Sequence, residues 1–269
     1  MQNVANLTIH WLTLAHRKPV HQLPLFRLLL AVALLSLAGN AAAAEIRVAV
    51  ASNFAAAMRD LAATFEQTSG HRVILATGST GKHYAQIRNG APFDLFFAAD
   101  SERPELLQRE GIAAPDSRFT YALGQLVLWS PQAGLVDDAG QVLAGTDFRH
   151  IAIANPRLAP YGRAAEQVLR KLGHWDRLRA RMVQGENVAQ AFQFVFSGNA
   201  ELGFVALSQI RQPGRPAAGS AWLLAQSLYD PIEQQAVVLK DQPVARAFVS
   251  FTRSPRGREI IREHGYQLP

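Results

Sequence analysis

The stretch Ile46-Arg47-Val48-Ala49-Val50-Ala51-Ser52-Asn53-Phe54, continued by Ala55 to Gly70, decides the fold class. Its first six residues are β-rich and short. From Phe54 onward the apolar positions Phe54, Met58, Leu61, Ala62 and Phe65 recur at helical spacing, and Gly70 stops the helix. The same order then repeats. A strand is expected over Arg72 to Ala76, a tight loop over Gly78 to Lys82 and a helix over Tyr84 to Arg88, ended by Asn89-Gly90. Next come a strand over Phe93 to Ala98 and a helix over Glu102 to Arg109, closed by Gly111. Apolar strands alternating with helices predict a mostly parallel sheet covered on both faces, with ligands bound beyond the carboxyl ends of the strands.

Downstream, Gln125 to Trp129 reads as a further strand and Ser130 to Gly145 as loop or a short irregular element. A second alternating unit begins at Ile151 to Ala154. It continues through helices over Tyr161 to Leu172 and Val188 to Phe196 and a strand over Leu202 to Ala206. Gln235 to Lys240 reads as a returning strand, followed by helices over Val244 to Arg253 and Gly257 to His264. Two similar α/β units joined by extended segments account for this order.

Upstream, residues 1–44 hold no acidic residue and three basic ones, Arg17, Lys18 and Arg27. The apolar run Leu28 to Ala38 and then Ala41-Ala42-Ala43-Ala44 give the basic, apolar, small-residue order of a secretory signal peptide, with cleavage expected between Ala44 and Glu45. The run is well short of the ~20 residues that a membrane-spanning helix needs. Without the leader, 24 of the 27 Lys and Arg residues face all 21 Asp and Glu, so the mature chain is +3 rather than +6. No dense basic stripe of the kind that binds nucleic acid is present; Arg177, Arg179 and Arg181 read as a solvated helical face. The chain has no cysteine. That excludes thiol catalysis, cysteine-based metal sites, disulfides and a lipid-modified N-terminal cysteine, so the exported chain is expected free in the periplasm.

Chemistry concentrates at four turns where a strand enters a helix: Ser52-Asn53, Gly78-Ser79-Thr80-Gly81-Lys82, Asn155-Pro156 to Pro160-Tyr161-Gly162, and Gly185-Glu186-Asn187-Val188. Each has an ordinary explanation as helix capping, or, for Pro160, as a favourable first helical residue. Together, two in each unit, they make a cage of free amides and hydroxyls at positive helix ends, suited to a small anion. The second turn resembles a phosphate-binding P-loop, but the required first Gly is Ala76 and the required Ser or Thr after Lys82 is His83, so nucleotide hydrolysis is not expected. A serine hydrolase built on Ser52 or Ser79 with His83 and Asp94 or Asp100 is the rival from another class, although no Gly-x-Ser-x-Gly surrounds either serine. The mature histidines, at 71, 83, 150, 174 and 264, lack metal-ligand spacing.

At these turns the chain resembles the periplasmic molybdate-binding proteins of ABC importers, the ModA family. The matching segments are Val48 to Phe54, Gly78 to Lys82 with Gln86-Ile87, Gly90-Ala91-Pro92-Phe93-Asp94-Leu95-Phe96-Phe97-Ala98-Ala99-Asp100, Ala154-Asn155-Pro156 to Ala164, Leu172 to Trp175, Gly185 to Val188 and Leu202 to Ala206. The resemblance implies the type II periplasmic-binding-protein fold, an α/β protein of two lobes. Lobe I would be discontinuous (residues 45–124 and 234–269), lobe II would span 125–233, and the hinge would lie near Leu123–Leu126 and Ile232–Ala236.

It implies capture of molybdate, and of tungstate similarly, and delivery to the membrane subunits of an ABC permease by a monomer that is not an enzyme and has no cofactor. Molybdenum would enter only as the oxyanion, with no direct protein–metal ligand. Ligand contacts carry over to Ser52, Ser79 or Thr80, Tyr161 and the Val188 amide, and Asn53 matches a ligand position in some members. Where some members carry a ligand-contacting tyrosine this chain has Ala206, and Tyr161 is expected to supply that hydroxyl. Sulfate or phosphate is the alternative cargo.

Overall fold

The computed structural model describes residues 43–211, 213–214 and 218–269. The leader expected over residues 1–44 therefore lies outside the described residues, apart from its last two.

The strands are β1 (Glu45–Ala51), β2 (Arg72–Gly78), β3 (Leu95–Phe97), β4 (Phe119–Gly124), β5 (Leu126–Ser130), β6 (Ile151–Ala154), β7 (Met182–Gly185), β8 (Leu202–Ala206), β9 (Ser220–Leu223) and β10 (Ile232–Val238). The helices are α1 (Ala55–Ser69), α2 (Thr80–Arg88), α3 (Glu102–Arg109), α4 (Pro160–Lys171), α5 (Trp175–Leu178), α6 (Val188–Phe196), α7 (Leu207–Ile210), α8 (Pro243–Arg253) and α9 (Pro255–Glu263). One five-stranded sheet has the order β2-β1-β3-β10-β4 and the other β7-β6-β8-β5-β9. In the first, β1 pairs parallel with β2 and β3, while β10 pairs antiparallel with β3 and β4. In the second, β6 pairs parallel with β7 and β8, and β5 antiparallel with β8 and β9.

Each sheet is thus mixed, with more antiparallel pairing than strand–helix alternation alone suggests. The cause is the path between lobes. The chain leaves the first sheet along β4, turns through Gln125 into β5, and comes back along β10, so the outgoing and returning strands run in opposite directions and pair that way. The edge strand β9 has no reading in the sequence, and its half-buried residues explain why: it lacks a clean alternation of apolar and polar positions. Helix α2 starts four residues earlier than its apolar pattern suggests, because the Ser79 hydroxyl caps it by accepting from the Lys82 N–H at 3.3 Å.

The first lobe packs around Phe97, which is fully buried. Its ring meets Tyr121 at 5.1 Å and Phe119, Phe248 and Phe54 at 6.3 to 6.4 Å between centroids. The second lobe packs α4 against β6 and β8 through Ile153, Val168, Leu169, Leu202 and Phe204, and α6 against the same strands through Ala152, Ala191, Val195 and Val205. Gly162 permits a close approach in this lobe, since a Cβ there would run into the Ala154 carbonyl oxygen at the end of β6. That glycine sets the start of α4 directly on the strand end. Phe97→Ala should lower the unfolding free energy by about 3–5 kcal/mol, the cost of removing a buried aromatic ring, and urea denaturation followed by circular dichroism would measure it.

Candidate functional site

The four strand-to-helix turns converge where the two sheets face each other. Ser52 opens the 3-10 turn Ser52–Phe54 and reaches across to α6, its Oγ accepting from the Ala189 N–H at 3.4 Å. Ala51, Ala99, Tyr161, Val188 and Ala206 belong to one buried cluster that draws on both lobes. The lobes also touch through Gly81 N–H to the Leu158 carbonyl at 2.9 Å, Ser208 Oγ to the Asn53 carbonyl at 3.1 Å, Lys82 to Glu186 at 3.1 Å and Arg163 to Glu102 at 3.0 Å. The two ion pairs lie at the half-exposed rim and contribute little to stability.

The hydroxyls share one arrangement. Ser52 Oγ accepts from Ala189 N–H, Ser79 Oγ from Lys82 N–H at 3.3 Å, and Thr80 Oγ1 from Ala99 N–H at 3.0 Å. A hydroxyl carries one proton and accepts through its lone pairs. In each case a backbone donor fills the acceptor role, and among the described residues the proton has no acceptor. Ser79 and Thr80 are both buried, as is Tyr161, whose Oη has no partner among the described residues. Burial pushes the Tyr161 phenol well above its usual range, the nearby Tyr266 and Tyr121 push it the same way, and the Asn53 side-chain amide opposes them. Tyr161 therefore stays protonated and can donate.

The helix ends add amides. Asn187 caps α6 by accepting from Ala189 and Gln190 N–H at 3.0 and 3.1 Å, which leaves the first N–H of the helix, that of Val188, with no partner among the described residues. Pro160 occupies the first position of α4, so Tyr161 carries one of its first free amides. Neutral donors converge here, and a small anion is what they can hold.

Asn53 behaves differently from the hydroxyls. Its side-chain amide donates to Gln234 Oε1 at 2.7 Å and to Tyr266 Oη at 3.0 Å, and its carbonyl accepts from Tyr266 Oη at 2.7 Å. The side chain is a brace between strand β10 and the C-terminal segment. Tyr266, Gln234 and Tyr121 complete that brace, and sequence reading missed all three, because each lies at least 68 positions from Asn53 and no local pattern marks them.

The hydrolase arrangement does not assemble. His83 is buried against Phe93 and Phe96, and its Nδ1 pairs with Gln86 Oε1 at 3.1 Å rather than with a serine. Asp94 accepts from the Arg47 N–H at 2.6 Å and faces Lys240, and Asp100 pairs with Arg103. Burial raises the Asp100 carboxyl, with Arg103 opposing. Among the described residues no group of three or more His, Cys, Asp or Glu side chains could hold a metal ion.

Residues 46–267 match the family described as bacterial extracellular solute-binding protein. The chain is 51% identical over 247 residues to the molybdate-binding protein ModA of Azotobacter vinelandii, covering 91% of this chain and 98% of that protein. It is 46% identical to the molybdate-binding protein ModA of Rhodobacter capsulatus, over 86% of this chain and 92% of that one. A solved structure of an Azotobacter vinelandii periplasmic molybdate-binding protein superposes with a TM-score of 0.81 at 48% identity, covering 83% of this chain and 99% of that one.

Burial lowers the pKa of His83 below its usual 6.5, with Lys82 adding to the shift and Gln86 opposing it. The unfolded chain then binds the more protons, so this histidine's contribution to stability is present above about pH 6.5 and declines as pH falls below it. The loss in thermal midpoint between about pH 6.5 and pH 5 should therefore be smaller in His83→Leu than in the wild type, by calorimetry.

Proposed function

We propose that this chain, which belongs to the bacterial extracellular solute-binding protein family, captures molybdate between its lobes and hands it to an ABC permease. It is a binding protein and not an enzyme. One observation carries the reading: every hydroxyl turned to the interlobe site has its acceptor role filled or its proton unclaimed. A cage of that kind presents unclaimed hydroxyl protons. It suits a fully deprotonated tetrahedral oxyanion and mismatches one that must donate a proton itself.

In this reading Ser52, Ser79, Thr80 and Tyr161 donate hydroxyl protons and Val188 donates its amide, with the Asn53 backbone beside them. Hydrogen bonds to a charged group contribute roughly 1.5–3 kcal/mol each, and helix N-termini ~0.3–1 kcal/mol. Several such terms hold a dianion without a buried cation. The choice of molybdate over sulfate or phosphate rests on the names of the relatives at 51% and 46% identity; tungstate shares charge and shape. Molybdenum would be held only through oxyanion oxygens.

The lobes, residues 45–124 with 234–269 and residues 125–233, would hinge at the segments around Gln125 and Ile232. Opening would break the cross-lobe contacts of Ser52, Gly81 and Lys82 and release the anion. Family membership fits a periplasmic protein, and among the described residues no helix is long and apolar enough to cross a membrane. Export would remove residues 1–44 and leave a monomer.

Calorimetric titration of the mature protein should give molybdate and tungstate affinities at least about tenfold above those for sulfate and phosphate, a gap of about 1.4 kcal/mol. Molybdate no tighter than sulfate would overturn the cargo. Tyr161→Phe should weaken molybdate binding about tenfold and leave the apoprotein's thermal midpoint nearly unchanged, since the ring keeps its packing. Edman sequencing of the protein recovered from a periplasmic extract should begin at Glu45.

A further inference from the structure

Two buried polar atoms near the site lack partners among the described residues: Tyr161 Oη and Gln234 Nε2. Unmet buried donors and acceptors are costly, and these two lie at the same place. A Cβ added to Gly124 would run into Tyr161 Oη and come within 3.0 Å of Gln234 Nε2. Gly124 ends β4 and Gln234 lies in β10, so both stand on the strands that cross between the lobes. We propose that Gly124 and Gln234 are positioning residues that seat the Tyr161 hydroxyl and turn its proton toward the bound anion, so that Tyr161 can only donate. This deepens the oxyanion reading above and rests on it.

The orientation of the Gln234 amide follows from its neighbours. Oε1 accepts from Asn53 Nδ2 at 2.7 Å and lies 3.2 Å from Tyr121 Oη. A flipped amide would set its own N–H groups against the Asn53 donor. Nε2 must therefore occupy the other side, where the Gly124 backbone and the Tyr161 hydroxyl are. Asn53 also reaches the phenol, but its two amide hydrogens are directed at Gln234 Oε1 and Tyr266 Oη. Gln234 Nε2 is the donor left over, and Tyr161 Oη is the acceptor left over.

The pairing completes the pattern of the other hydroxyls. Ser52, Ser79 and Thr80 each have the acceptor role filled by a backbone N–H. Tyr161, which enters from α4 on the other lobe, has no such amide, and the side-chain amide of Gln234 on the crossing strand would take the role. With a lone pair engaged in that way, the phenolic proton would be directed to the anion. Gly124 provides the room: without a side chain, the backbone lets hydroxyl and amide come together.

The experiment is a double-mutant cycle in molybdate affinity, by calorimetric titration of the mature protein. Tyr161→Phe and Gln234→Met should each weaken binding about tenfold, the worth of one hydrogen bond to an anion. The double variant should lie within about twofold of Tyr161→Phe alone, because Gln234 acts through the hydroxyl. A Gln234 that only braces Asn53 and Tyr121 would cost the same factor with or without the phenol, and that additive result would overturn the proposal. Gly124→Ala gives a second cycle should Gln234→Met fail to fold. Its added Cβ should cost affinity while the Tyr161 oxygen is present and little once Phe removes it; equal costs in both backgrounds would overturn the proposal. A wild-type protein that binds molybdate no more tightly than sulfate would instead defeat the parent reading, before any variant is compared.

Discussion

A hydroxyl that already accepts from a backbone N–H, and whose own proton has no acceptor among the described residues, is set to donate. Ser52, Ser79 and Thr80 are in that state, each accepting from a backbone N–H. The rest of the molecule serves to hold them so. Helix caps supply two of the engaging amides, Lys82 and Ala189, and the end of β3 supplies the third through Ala99. The sheets place these elements with their helix ends facing one another. A cage of uncharged donors of this kind would recognise an anion by its lack of protons, without a buried cation that carries a desolvation penalty of its own.

The same constraint explains why the site spans two lobes. One helix end offers two or three amides, too few to surround a tetrahedral ligand. Facing helix ends on separate sheets approach it from opposite sides, and the crossing strands β4, β5 and β10 let the two sets part and meet. Contacts such as Gly81 N–H to the Leu158 carbonyl hold the lobes together without using the hydroxyls that would meet the ligand. Ser52 is the exception, since its Oγ accepts across the lobes from the Ala189 N–H, so opening would change its surroundings as well.

Behind the cage is a buried polar brace of Asn53, Tyr121, Gln234, Tyr266 and Ser208, satisfied in nearly every role. Burial raises the Tyr121 and Tyr266 phenols, so both remain neutral members of the network. The brace ties the first turn of the chain to its last segment and to the returning strand. Its two open atoms, Tyr161 Oη and Gln234 Nε2, lie on the side nearest the cage.

Much of this was legible along the chain. The α/β order, the four helix starts and the failed P-loop pattern come from neighbouring residues, because capping and helix periodicity are local physics; the choice of Ser52, Thr80, Tyr161 and Val188 within those turns comes from the family resemblance. Asn187 at the start of α6 and Ser79 at the start of α2 cap as their residue types suggest. The mixed pairing of the sheets was not legible, since it depends on β4 and β10, which run in opposite directions more than 100 residues apart. Nor was the fate of Asn53, a capping residue by type whose side chain instead meets Gln234, 181 positions away. Gly124 reads as an unremarkable strand-end glycine until the phenol of Tyr161 is packed against it. Residue chemistry along the chain therefore settled which groups could donate to an anion. Only packing between distant segments settled which lone pairs are already taken, and so which way each proton can point.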